Sequence, residues 1–179
     1  MAFTIQKSAF YDFLTCVRRF NIGPRMILTT ALIQCYFDYS CSSWYSSLGK
    51  GMIKKLQVVQ NEAVRFVLDL GPRSRINCAI LDKVNMLSVT DRIRQLRINH
   101  VFNIFHGHAR EYLCENFDLN NNLTRGATNF NLLVPSGNTC NKNSFVYNAI
   151  LDWNNLPINI KNISNKPAFK SAVKNNSQK

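Results

Sequence analysis

Met52-Ile53-Lys54-Lys55-Leu56-Gln57-Val58-Val59-Gln60-Asn61-Glu62-Ala63-Val64-Arg65-Phe66-Val67-Leu68-Asp69-Leu70 is the most regular stretch of this chain. With residues placed about 100° apart, Met52, Ile53, Leu56, Val59, Ala63, Phe66, Val67 and Leu70 fall on one stripe. Lys54, Lys55, Asn61, Glu62 and Arg65 fall on the opposite arc. Gln60 lies inside the stripe, which predicts a buried and hydrogen-bonded glutamine. Gly71-Pro72 supplies the stop signal. An amphipathic helix of this kind needs partners for its apolar side, and the segments around it also read as helices.

Upstream, Ala9 to Phe20 reads as a helix with Phe10, Phe13, Leu14 and Val17 on one side and Arg18 and Arg19 near its end. Asn21-Ile22-Gly23-Pro24 breaks the chain. The helix that follows, from about Arg25 to Tyr39, is apolar on most faces, which predicts a central place in the bundle. Ser40 to Gly51 reads as a loop or helix end anchored by Trp44 and Tyr45.

Downstream, Cys78 to Val84 forms a brief helix, and a longer one runs from Val89 or Asp91 to His106. Ile93, Leu96, Ile98, Val101, Phe102 and Phe105 supply its apolar contacts. Tyr112 to Phe117 reads as a helical turn. Asp118 to Asn143 is a long asparagine-rich loop with room for one short strand at Phe130 to Val134. Asn143 or Ser144 caps a helix through Trp153 that stops before Pro157. A last helix starts near Pro167. The expected fold is mainly α: a helical bundle with that loop and at most one short strand or hairpin. Its expected division is a helical segment over residues 1–70, a second helical region over 71–174 packed on it, and a frayed tail over 175–179.

The 179 residues are 46% hydrophobic, enough for a real core. Lys and Arg number 22 against 10 Asp and Glu, a net charge of +12. Such an excess favours a polyanionic partner, because neutralised phosphates release counterions. The cysteines at 16, 35, 41, 78, 114 and 140 form no Cys-x-x-Cys pair, which points to reduced thiols rather than a disulfide scaffold or zinc ribbon. The first residues lack the pattern of a signal peptide, and Met26 to Phe37 is too short to cross a bilayer. An intracellular protein, nuclear or cytoplasmic and neither secreted nor membrane-bound, is expected.

Catalytic chemistry is poorly served. A polymerase holds two metal ions about 3.5–4 Å apart on paired carboxylates, and no two acidic residues are adjacent here. Asp38, set among Tyr36, Phe37 and Tyr39, reads as a structural hydrogen-bonding group. No phosphate-cradling glycine motif is present. His106-x-His108 is not the i, i+4 pairing that puts two ligands on one helical face, so no metal site and no cofactor are expected. What remains is basic surface. Lys54, Lys55 and Arg65 share one polar face, and Arg92, Arg94 and Arg97 crowd another helix. These six are the candidate phosphate contacts, which would position a strand without reading its sequence. The bland alternative for each is a solvated helix face.

Leu32-Ile33-Gln34-Cys35-Tyr36-Phe37-Asp38-Tyr39-Ser40-Cys41-Ser42-Ser43-Trp44 resembles the region just beyond the reverse transcriptase core of non-LTR retrotransposons of the LINE-like, jockey and chicken-repeat kinds. Lys55-Leu56-Gln57-Val58-Val59-Gln60-Asn61-Glu62-Ala63-Val64-Arg65-Phe66 is similar to that family's "LQ..QN.A.R" helix. Ser144-Phe145 and Trp153-Asn154-Asn155-Leu156-Pro157-Ile158-Asn159-Ile160 resemble its "SF…WN.LP..I" signature, and the likeness spans about residues 10–173. Many relatives carry proline where this chain has Cys35. The resemblance implies structural motif roles for Asp38, Tyr39, Trp44, Gln60, Trp153, Asn154, Leu156 and Pro157. It further implies that the chain opens inside the thumb and is a non-catalytic, C-terminal part of an RNA-directed DNA polymerase. The implied partners are template RNA or RNA–DNA hybrid and an upstream polymerase domain. The alternative is a structural or protein-interaction remnant with no nucleic-acid role.

Overall fold

The computed structural model describes residues 20–39, 41–119, 130–136 and 142–177. The helix expected at Ala9 to Phe20 lies outside them but for Phe20, Arg18 and Arg19 included, as do Cys16, Cys140 and most of the asparagine-rich loop. The described elements are helical. In chain order they are α1 (Ile22–Thr29), a π turn (Thr30–Gln34), α2 (Cys35–Asp38), α3 (Cys41–Trp44), a 3-10 turn (Tyr45–Ser47), α4 (Lys50–Leu68), α5 (Cys78–Lys83), α6 (Val89–Phe105), a 3-10 helix (Glu111–Asn116), α7 (Phe145–Asn154), α8 (Ile158–Lys161) and α9 (Lys166–Ser177). The β structure among the described residues is one antiparallel bridge between Leu119 and Leu132. The protein is mainly α.

The chain divides into two compact units, residues 1–39 with 51–89, and residues 40–50 with 90–179. Residues 71–89 therefore group with the first unit. The last helix runs to Ser177, into the expected tail over 175–179.

In the first unit, α4 presents Gln60, Ala63, Val64 and Val67 as its buried residues. Val64 and Val67 pack with Leu81, Val84 and Met86. The buried arc is turned from the expected stripe: Val64 is fully buried, whereas Met52 and Val59 are exposed. The reason lies in the partner. The α5 segment covers the Gln60–Val64 side, and the helical period alone cannot say which edge of an apolar arc is covered.

The helix expected at the centre is not central. Along Ile22 to Asp38 only Arg25, Thr29 and Phe37 are buried, while Ile27 is 69% and Tyr36 74% exposed. Arg25 and Met26 meet α4 on one side, and a helix apolar all round is buried only if other elements surround it. The Cys35 N–H donates to the Thr30 carbonyl and closes the π turn, a bond that proline at this position would lack.

In the second unit the central helix is α6. Ile98, Val101, Phe102 and Ile104 pack with Ala149, Ile150 and Trp153 of α7, with Phe169 and Val173 of α9, and with Phe117 and Leu132. Even its polar residues Gln95 and Arg97 are buried. Ser144 caps α7 by accepting the Tyr147 N–H at 3.2 Å. The helix ends at Asn154, before Pro157, as expected. Pro157 is the N-cap of α8, because its fixed φ leaves the next residues free to turn.

Candidate nucleic-acid interface

The glutamines of α4 organise the first unit. Gln60, 2% exposed, donates to the Leu87 carbonyl at 2.8 Å and accepts from Gln57 Nε2 at 2.9 Å. Gln57 also donates to Asn61 Oδ1 at 3.0 Å, and its Oε1 accepts the Val89 N–H at 3.0 Å. That last bond satisfies one of the orphan donors at the start of α6. The pair fixes the 87–89 segment to α4, so these glutamines hold structure and leave the opposite arc to solvent.

On that arc Lys54 and Lys55 are exposed and Arg65 is half-buried. Arg65 Nε donates to the Ser74 carbonyl at 2.9 Å. This draws its guanidinium against the turn after α4, whose flanking residues Arg73 and Arg75 are both exposed. The described ion pairs run from Arg25 to Asp69 and from Arg94 and Arg97 to Asp152. Lys54, Lys55, Arg65, Arg73 and Arg75 enter none of them. Arg73 and Arg75 were not among the six candidates; the signal available was their alternate spacing just after Gly71-Pro72.

The second trio is different. Arg97 Nε lies 2.7 Å and Nη2 2.6 Å from Asp152 Oδ2, Nη1 is 3.5 Å from Ser46 Oγ, and the guanidinium sits over the Tyr45 ring at 5.9 Å. Arg94 Nε is 3.6 Å from the other oxygen of Asp152, and Arg92 donates to Gln95 Oε1 at 2.9 Å. Arg97 is therefore withdrawn as a phosphate contact: its charge is buried and paired within the fold. Arg92 and Arg94 are half-buried and turned towards partners on or beside α6. Burial pushes the Asp152 carboxyl above its ordinary pKa, against the pull of Arg97 and Arg94 in the other direction. Arg25, another cation expected near a helix boundary, is also buried, with Nη1 3.3 Å from the Phe66 carbonyl.

The other motif residues are framework. Trp153 is buried and donates Nε1–H to the Phe130 carbonyl at 3.1 Å. Asn154 clamps the Leu132 backbone, accepting its N–H at 2.7 Å and donating to its carbonyl at 2.9 Å. Leu156 is buried beside them and Pro157 is exposed. Asp38 accepts from Gln34 Nε2 at 3.3 Å, Tyr39 is exposed, and Trp44 packs edge-on against Tyr45. His106 stacks on Phe102 and His100 meets Phe145 edge-on.

Nothing in this geometry assembles a metal centre: among the described residues no group of three or more His, Cys, Asp or Glu could hold an ion. No described helix is long and apolar enough to cross a membrane, and Cys35, Cys41, Cys78 and Cys114 are thiols.

No protein-family model, curated protein or solved structure matches the chain.

Solvent-facing cations on α4 and on the turn after it can meet phosphate oxygens without first breaking an internal ion pair.

Proposed function

We propose that this chain is a non-catalytic, nucleic-acid-binding module, the C-terminal part of an RNA-directed DNA polymerase of the non-LTR retrotransposon kind. It grips the phosphate backbone of template RNA or RNA–DNA hybrid beside an active site carried by an upstream domain. The observation that carries the reading is that, among the described residues, Lys54, Lys55, Arg65, Arg73 and Arg75 on one helix face and its following turn enter no ion pair. Both units hold at least twice as many basic as acidic residues, so the surrounding field favours a polyanion. The motif resemblance adds the family, and the scattered acidic residues fit a binder rather than an enzyme.

Fluorescence anisotropy with a labelled single-stranded RNA tests it. Four backbone contacts give a log–log salt slope of about −3, so affinity should fall roughly 50-fold between about 50 and 200 mM salt. Binding indifferent to salt, or no binding at low salt, overturns the reading.

One observation favours a second reading, a docking element without nucleic-acid function. Phe20, Ile22, Ile27, Leu32, Tyr36 and Tyr39 leave apolar surface exposed along residues 20–39, as a segment made to face another domain would. It predicts no affinity for RNA at any salt.

A further inference from the structure

The second unit contains a cleft of about 170 Å³ lined by Phe105, His106, Leu119, Phe130, Trp153 and Lys161. Pockets for drug-sized ligands run to roughly 300–1,000 Å³, so this one suits a single ring system. Two of its aromatic rings are open to a ligand: Phe130 is 55% and Phe105 37% exposed. The Phe105 and Trp153 rings are 5.8 Å apart and tilted by 40°.

The rim is fixed in place. Phe130 holds a left-handed backbone, φ 51°, a conformation that costs a non-glycine residue energy and persists where its surroundings impose it. Those surroundings are the Trp153 indole, which donates to the Phe130 carbonyl, and the Asn154 amide, which clamps Leu132 two residues on. The motif residues Trp153 and Asn154 thus hold one wall of the cleft.

Its polar groups are few and placed. Lys161 Nζ donates to Asn131 Oδ1 at 2.7 Å and to the Asn154 carbonyl at 3.2 Å, and burial holds its pKa below the ordinary lysine value. His106 Nδ1 lies 3.0 Å from the Phe102 carbonyl. A carbonyl only accepts, so Nδ1 carries the proton and Nε2 is the nitrogen left for a ligand, an acceptor in the neutral ring.

We infer that this cleft receives one unstacked nucleobase of a single strand, the base lying against Phe130 and Phe105 with its polar edge towards His106. An aliphatic side chain from a protein would fill the same volume but would desolvate His106 Nε2 without a hydrogen bond in return. A base offers both a π face and an edge of donors and acceptors, and stacking on aromatic side chains tolerates any base.

The inference rests on the nucleic-acid reading above, and the test separates the two. The full chain is titrated with a single-stranded 12-nucleotide DNA and with an abasic strand of the same length and phosphate number. The base-bearing strand should bind about tenfold tighter. Phe130→Ala, and Phe130→Leu as a variant that keeps apolar volume without a π face, should each bring that ratio to within about twofold of one, with circular dichroism unchanged. Equal binding of the two strands by the native chain removes the base pocket and leaves the phosphate reading standing. Binding of neither strand removes both. A ratio that survives both Phe130 variants also overturns the pocket, since the bases are then held elsewhere.

Discussion

Arg97→Ala is expected to destabilise the folded chain by about 3 kcal/mol in a urea titration, the low end for removing one partner of a buried ion pair. Two of the three guanidinium nitrogens converge on one Asp152 oxygen, and the side chains are 10% and 16% exposed. Alanine also deletes the cation stacked over Tyr45. The carboxylate that remains keeps Arg94 at 3.6 Å as an ion-pair partner, so it stays half-buried and largely uncompensated, or takes up a proton. The double variant Arg97→Met with Asp152→Leu should lose much less than Arg97→Ala, because replacing both ions with apolar groups removes the desolvation cost along with the attraction. A loss below about 0.5 kcal/mol for the single variant, the range of ordinary surface substitutions, would return Arg97 to the set of solvent-facing cations.

Phe169→Ala should cost still more, about 4 kcal/mol, by the cavity left when a fully buried aromatic is truncated. Phe169 is 0% exposed, its ring stacks on Phe102 at 4.1 Å, and Trp153 lies 6.1 Å away. It is the residue through which α9 joins the core of the second unit. Phe169→Leu keeps most of the volume and should cost roughly half as much. Thermal or urea denaturation followed by circular dichroism decides the matter. A loss under about 1 kcal/mol for the alanine variant would mean that α9 does not pack as described, since burial of this kind rarely yields so little.

These two residues also mark what the sequence discloses. Phe169 sits four residues before Val173, an i, i+4 pair that announces an inward helix face, and the burial of both follows. Gln60 was equally legible, since a polar residue within an apolar stripe must find a partner, and the Leu87 carbonyl is that partner. Arg97 was not. Its fate depends on Asp152, 55 residues away, and nothing in the local pattern of α6 distinguishes an arginine that faces water from one that faces a carboxylate.

The same limit explains the helix from Ile22 to Asp38. Its apolar composition argued for a central place, yet Ile27, Leu32 and Tyr36 are exposed, because centrality depends on what surrounds a helix. The reverse holds for α6. Buried on nearly every side, it carries apolar and polar residues all round, so its periodicity is weak although it is the central helix of its unit. For the site, exposed lysines on an amphipathic helix could be read directly. The gathering of Arg65 with Arg73 and Arg75 needed the hydrogen bond to Ser74.

The distinction between cations that hold the fold and cations that face outwards is the centre of the account. Replacing Lys54, Lys55, Arg73 and Arg75 together with alanine, and measuring RNA affinity across a salt series, tests it most directly. The slope of log affinity against log salt should shrink by about 3, while the far-ultraviolet spectrum and melting temperature stay those of the native chain. An unchanged slope in a folded variant would show that these side chains do not meet phosphate.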